Sequence, residues 1–206
     1  MPKQTRKTRR GGRIIGEGLS GVVHRPALQC KDTSKTPKGD YVTKVIRKGR
    51  EKTARDEFAN AEKLRAFTDI VIVPDTMCEG PEDELMLFSK YGGQALIEFG
   101  LPDEVPSETF RTNLIAALEH MYERVRAMNA AKIYHNDISF ENVVFNPETN
   151  QAYLIDFERM IEGDYRKLND KDPGLTPSLR ARYQRHNELG PDIVALDGMI
   201  ATIKRA

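Results

Sequence analysis

No tryptophan occurs among the 206 residues, aromatic side chains make up only 7% of them, and there are just two cysteines. With so few rings, the core must be built from Leu, Ile, Val and Met. Cys30 and Cys78 lack the paired spacing of a zinc site or a disulfide framework, and are expected as free thiols in a reducing interior. No apolar run approaches the roughly 20 residues that span a bilayer, and the N-terminus has no apolar stretch of a secretory leader. Net charge is also scarce: 32 Lys and Arg against 31 Asp and Glu leave +1, which excludes a polycation built for nucleic acid. These absences point to a soluble intracellular, cytoplasmic protein with no membrane partner.

What is present is 39% hydrophobic and 31% charged residues, the balance of a globular protein with one generous domain or two small lobes. Lys3, Arg6, Lys7, Arg9 and Arg10 precede Gly11-Gly12. Residues 1–11 are therefore expected as a solvated basic tail, with at most weak contact to nucleic acid or another acidic partner.

Beyond the tail, Arg13-Ile14-Ile15 and Val22-Val23-His24 read as strands around a glycine-rich turn, and residues 31–40 as a loop. Residues 41–46 form a third strand. The spacing of Phe58, Ala61, Leu64 and Phe67 predicts a helix over 55–68. Residues 70–73 and 85–88 read as strands separated by a polar loop at 78–84. Tyr91-Gly92-Gly93 then breaks the pattern, which suits a hinge, so 12–90 and 91–206 are expected as separate lobes. Leu114, Leu118, Met121, Val125 and Met128 mark a long helix over 107–131. Strands at 143–145 and 152–155 flank a turn at Pro147-Glu148-Thr149-Asn150. Residues 158–190 carry no readable pattern, and 191–204 reads as a last helix with proline at its start.

Three signals bear chemistry. Gly16, Gly18 and Gly21 fit G-x-G-x-x-G, with Val23 two positions on. A dinucleotide loop passes from strand to helix, whereas this one lies between strands, which suits backbone N–H groups folded over phosphates. Lys44 stands in an alternating strand, where it can simply reach solvent or, one strand after the glycines, meet phosphate. A lysine in that role needs a carboxylate; Glu62 shares a helical face with Phe58 and is preferred, with Glu57 as the alternative. The third signal is His135-Asn136-Asp137-Ile138-Ser139-Phe140-Glu141-Asn142, followed by Asp156 in Leu154-Ile155-Asp156-Phe157. Asp137 suits a general base, and Asn142 with Asp156 offers hard oxygen ligands for Mg²⁺. His135 suits a bracing role. Taken singly, these residues are also ordinary turn formers; their joint order and spacing is what turn formation leaves unexplained.

On these motifs the chain resembles the protein-kinase-like superfamily from about Gly16 to Asp192. Gly-Gly-Arg-Ile-Ile-Gly-Glu-Gly and the following His24-Arg25-Pro26-Ala27-Leu28-Gln29-Cys30 look most like the compact kinase-like proteins of large DNA viruses, which would place the chain in a host cell or virion. Ile138-Ser139 also resembles RIO kinases and the small kinase of the KEOPS complex. The resemblance implies an α+β, bilobal fold with an antiparallel-sheet N-lobe and a truncated, mainly helical C-lobe. It implies ATP and Mg²⁺ as cofactors, and a protein substrate. Gly16, Gly18, Gly21, Val23, Lys44, Lys90 and Tyr91 would bind the nucleotide, Lys44, Glu62 and Asp137 would serve catalysis, and Asn142 and Asp156 would hold metal. Asp192 resembles the aspartate that braces the catalytic-loop backbone.

Three departures qualify what is carried over. Asn136 replaces the usual Arg, which leaves a phosphorylated activation loop without its anchor. Ser139 replaces the usual Lys near the γ-phosphate, a charge for which Arg159 is the available substitute. Glu158 replaces glycine, which makes a large backbone flip less accessible. The chain also ends 14 residues after Asp192, so the later substrate-presenting helices are expected to be absent. A Ser/Thr protein kinase is the leading expectation; a small-molecule kinase or RIO-like ATPase, and a nucleotide-binding pseudokinase scaffold, are the alternatives.

Overall fold

The computed structural model describes residues 12–101, 103, 105–163 and 190–205; the basic tail at 1–11 lies outside them, as does most of 158–190. The fold is α+β. The chain divides into two compact units, one made of the chain up to Lys63 with Val73–Tyr91, the other of Leu64–Ile72 with the chain from Gly92 onward.

The first unit is a five-stranded antiparallel sheet in the order β1-β2-β3-β5-β4, from β1 (Arg13–Glu17), β2 (Gly21–Arg25), β3 (Tyr41–Ile46), β4 (Thr76–Glu79) and β5 (Leu85–Lys90). Two-residue alternation on β5 supplies both faces of the sheet. Met86 and Phe88 join Leu28, Cys30 and Cys78 on one side. Leu85 and Leu87 join Ile46 and Ala54 on the other, with Phe58 and Met77 packed against them.

Three expectations are corrected in this part of the chain. Residues 70–73 form no strand: Val71 makes only an isolated parallel bridge to Leu154. Pro74 follows at once and has no N–H for a ladder, and the strand that forms is Thr76–Glu79. The helix expected over 55–68 instead runs from Glu51 to Asn60 as α1 and then tightens into a 3-10 turn, Ala61–Phe67. Finally, Cys30 and Cys78 are joined in a disulfide with Cα atoms 6.0 Å apart. Forty-eight residues separate them in sequence, so spacing gave no sign of the pairing. They meet because the segment after β2 runs beside β4, where the Lys31 N–H donates to the Glu79 carbonyl at 2.8 Å. The inference from free thiols to a reducing compartment therefore loses its premise.

The second unit is organised around α2 (Glu108–Ala130), capped by the Ser107 hydroxyl, which accepts from the Phe110 N–H at 3.1 Å. Its apolar stripe, Leu114, Leu118, Met121, Val125 and Met128, is fully buried. The last helix, α3 (Pro191–Arg205), packs along α2 and buries Ile193, Leu196, Met199, Ile200 and Ile203. A three-stranded sheet joins β6 (Gln94–Ala95), β8 (Val143–Asn146) and β9 (Gln151–Leu154), while β7 (Ile133–Tyr134) pairs with β10 (Ile161–Glu162). The β8–β9 turn is closed by the Asn146 side chain accepting from the Glu148 N–H at 3.0 Å, with Asn150 at φ 54°. The β7–β10 pair, two residues a side, is too short to show a period in the sequence. It brackets the loop His135–Asn142 and the turn after Asp156.

Candidate active site

The chemistry-bearing residues fall into two groups, one in each unit. In the first unit, β1 and β2 leave a three-residue turn, Gly18-Leu19-Ser20, closed by the Gly18 N–H donating to the Gly21 carbonyl at 2.9 Å. Arg47 ties the turn down from outside: its Nε donates to the Gly18 carbonyl at 3.0 Å and its Nη2 to Glu17 Oε1 at 2.6 Å. The three glycines are not equivalent. A Cβ at Gly21 would collide with the Val45 carbonyl, so packing onto β3 demands glycine there. A Cβ at Gly18 would meet nothing within 4 Å, and one at Gly16 would make only ordinary contact with Val23. The fold therefore does not need glycine at 16 or 18, and their bare backbone is open to approach.

Val23 and Lys44 are direct cross-strand partners on β2 and β3. Lys44 Nζ donates to Glu57 Oε2 at 3.2 Å, and the carboxylate is only 5% exposed. The expected partner, Glu62, does not take this place. The α-helix ends at Asn60, so Glu62 sits in the 3-10 turn, where the i,i+4 relation to Phe58 no longer holds, and it is exposed. Glu57 faces the sheet beside Ala54 in the buried stripe of α1. Lys90 ends β5 and is exposed. Tyr91 is pinned by its N–H, which donates to the Asp40 carbonyl at 3.0 Å, and by the Arg25 guanidinium, 3.4 Å over its ring. Arg25 is in turn held by two bonds to the Asp40 carboxylate, at 3.2 and 3.0 Å.

In the second unit the loop after β7 is held from beneath by Asp192, the second residue of α3, which is 1% exposed. Its carboxylate accepts from the backbone N–H of His135 at 2.7 Å and of Asn136 at 2.8 Å. With its amide turned to donate, Asn129 on α2 adds a bond to Asp192 at 3.1 Å and one to the Ile133 carbonyl at 3.0 Å. Burial pushes the Asp192 carboxyl above its ordinary value, opposed by the two backbone amides that donate to it.

His135 is wholly buried. Its Nε2 lies 2.9 Å from the Ile155 carbonyl, and its Nδ1 accepts from the Asp137 N–H at 3.2 Å. A carbonyl on one side and an N–H on the other select the tautomer protonated at Nε2. The ring also meets Phe157 in an edge contact at 4.6 Å. It therefore positions Asp137 and the strand before Asp156 rather than reaching a substrate. Asn136 adopts φ 62°, a left-handed conformation that asparagine tolerates better than most side chains.

Asn142 lies five residues beyond Asp137 and folds back on it, its Nδ2 donating to the Asp137 carbonyl at 2.8 Å and to Oδ2 at 3.2 Å. With its nitrogen so engaged, the amide presents its oxygen elsewhere. The β8–β9 hairpin joins the two ends of the site, because the Ile155 N–H donates to the Asn142 carbonyl at 3.0 Å. Asp156 follows in a left-handed conformation, φ 65° and ψ 73°, and opens the 3-10 turn Phe157–Arg159. Such conformations on non-glycine residues are strained and concentrate at functional sites. From that turn Arg159 Nη1 comes to 3.5 Å from Asp137 Oδ1.

The structure thus assembles Asp137, Asn142, His135 and Arg159 in one unit, with Asp156 at the end of the same hairpin. It places the glycine turn, Val23 and Lys44 together in the other. Asn129 gave no signal in the sequence, since a polar residue near a helix end is unremarkable. The left-handed geometry at 136 had a faint one, the presence of asparagine itself. No protein-family model matches this chain, and no curated protein sequence is significantly similar to it.

Proposed function

We propose that the chain is an ATP-dependent phosphotransferase that moves the γ-phosphoryl group of ATP to a hydroxyl, with Ser or Thr of a protein as the leading acceptor. The observation that carries the reading is the unit built on Asp137: a carboxylate fixed by Asn142, on a loop whose backbone is clamped by the buried Asp192. A loop that serves only as a turn has no use for a buried carboxylate beneath it and an amide locked onto its one forward carboxylate.

Asp137 orients the acceptor hydroxyl and takes its proton as the oxygen attacks phosphorus, and ADP leaves with the electrons of the broken bridge bond. Lys44, held by Glu57, supplies a fixed cation for the nucleotide phosphates. Gly16 and Gly18 leave the turn unshielded by side chains, so phosphate can approach its backbone closely. Lys90 ends, and Tyr91 follows, the strand expected to meet the base. Asn142 and Asp156 offer an amide oxygen and a carboxylate, the hard donors that suit Mg²⁺, and this ion would neutralise phosphate charge when bound. A small-molecule kinase or RIO-like ATPase is the second reading, favoured by serine at position 139 in place of a substrate-side lysine.

The test is incubation with radiolabelled ATP and Mg²⁺, with and without generic protein substrates, beside Asp137→Ala and Asp156→Asn. Label on protein that disappears in both variants supports the kinase. ATP turnover without protein label favours the second reading. Nucleotide binding with no turnover removes both and leaves a nucleotide-binding scaffold.

A further inference from the structure

We propose that Arg159 is the mobile cation of this site, paired with the general base while no phosphate is present and drawn onto the transferring phosphoryl group when nucleotide arrives. The inference rests on the phosphotransferase reading and adds to it the origin of the charge that Ser139 does not supply.

The two oxygens of Asp137 have different partners. Oδ2 accepts from the Asn142 amide at 3.2 Å, an arrangement fixed by the bond of the same nitrogen to the Asp137 carbonyl. Oδ1 faces Arg159 Nη1 at 3.5 Å. Oδ1 is thus the oxygen left for a substrate hydroxyl, and Arg159 occupies its approach.

The pair is built to be exchanged. The contact is long and single, with none of the two-pronged geometry that guanidinium forms with carboxylate when the two are locked. Its side chains are 65% and 39% exposed, so water screens the attraction. A phosphoryl group carrying more than one negative charge competes for the same guanidinium with stronger, charge-assisted bonds.

The base of Arg159 is nevertheless rigid. Its turn is closed by the Met160 N–H donating to the Phe157 carbonyl at 3.2 Å. Phe157 is buried and seated against His135, the residue that also holds Asp137. A fixed backbone with a solvent-washed head gives a cation that swings over a short range about the reacting atoms. The exchange frees Oδ1 for the hydroxyl at the same time as it places positive charge where the transferring group is most negative. The general base would then be available chiefly when phosphate is in place.

Four variants test this in the full chain: Arg159→Ala, Arg159→Lys, Ser139→Lys, and Arg159→Ala combined with Ser139→Lys. Phosphoryl transfer is followed at saturating ATP, and folding is checked by circular dichroism. Arg159→Ala should lower kcat by about 10²-fold, the scale of one lost charge-stabilising donor, with the KM for ATP moving by less than about threefold. Arg159→Lys should retain part of the rate. The double variant should recover at least about tenfold of the loss, because lysine at 139 restores the missing charge by another route. A purely structural Arg159 would not be rescued from position 139. Full activity in Arg159→Ala, or no recovery in the double variant beside an active wild type, overturns the proposal and leaves the phosphotransferase standing. An inactive wild type overturns both.

Discussion

Asp192 carries a carboxyl group into a place where it is 1% exposed, and two backbone N–H groups depend on it. Asp192→Asn replaces one acceptor oxygen with a donor, so one buried amide loses its partner at a cost of about 1–3 kcal/mol. The pH dependence has a definite sign. Burial raises this carboxyl above its ordinary 3.8, so the folded state binds the proton more tightly than the unfolded chain does. Its contribution to stability is complete below the ordinary value and is lost as pH rises through the raised folded one. The gap in melting temperature between wild type and Asp192→Asn should therefore be widest in acid and narrow as pH rises; a gap that widens instead would refute the assignment. Lys44 offers a second test at this scale. Glu57→Gln leaves a partly buried ammonium facing a neutral amide and should cost about 1–2 kcal/mol in a denaturant titration, less than for a fully buried pair because Lys44 retains 17% exposure. Glu62→Gln, on the exposed turn, should cost under about 1 kcal/mol.

Among the elements, the glycine turn and the long helix make opposite demands on the sequence. Gly21→Ala drives a methyl group into the Val45 carbonyl and should destabilise the first unit by about 1–3 kcal/mol. Gly18→Ala enters open space and should leave stability within about 0.5 kcal/mol of wild type. Its effect should appear in nucleotide affinity, measured by titration with a fluorescent ATP analogue. Unchanged affinity in Gly18→Ala would count against a phosphate-binding role for the turn. In α2 the stripe is purely structural: Leu118 is fully buried, and Leu118→Ala should cost about 2–5 kcal/mol in chemical denaturation. The two elements also differ in how they could be read. The stripe of α2 was legible because helical period and burial coincide over 23 residues. The end of α1 was not, because apolar residues at helical spacing continue through Ala61–Phe67 while the backbone tightens to three residues per turn. Glu57 lies on the buried face of α1 while Glu62 is exposed on that turn, so Lys44 pairs with Glu57 and not with the preferred Glu62.

At the scale of the molecule, the disulfide closes the longest covalent loop. Cys30 and Cys78 are 48 residues apart in sequence, and a loop of that size corresponds to roughly 4 kcal/mol in the chain-entropy view, with measured values more often 2–4. Reduction, or Cys78→Ser, should lower the melting temperature of the first unit by a corresponding amount; a reducing agent without effect would show that the bridge does not form in solution. No helix among the described residues is long and apolar enough to cross a membrane. The sequence reading divides the chain between residues 90 and 91, whereas the first unit includes Tyr91 and the second resumes at Gly92. The assignment of Leu64–Ile72 to the second unit was not legible. Ile70 and Val71 are apolar and read as a strand of the sheet, yet their backbone partner is Leu154 on β9.

What the sequence determined by itself is the inventory and order of the candidate site groups: the glycine turn between strands, Lys44, Asp137 five residues before Asn142, and Asp156 at a hairpin end. Those depend on spacing along the chain, where local rules of turn, strand and helix apply. Only the tertiary structure decided which groups face one another. It chose Glu57 over Glu62 through the phase of a helix end, joined Cys30 to Cys78 through the neighbour of an edge strand, and set Arg159 against Asp137 through a buried phenylalanine seated on His135. Each of these is a contact between segments distant in sequence, fixed by packing and by hydrogen bonds that no periodicity records.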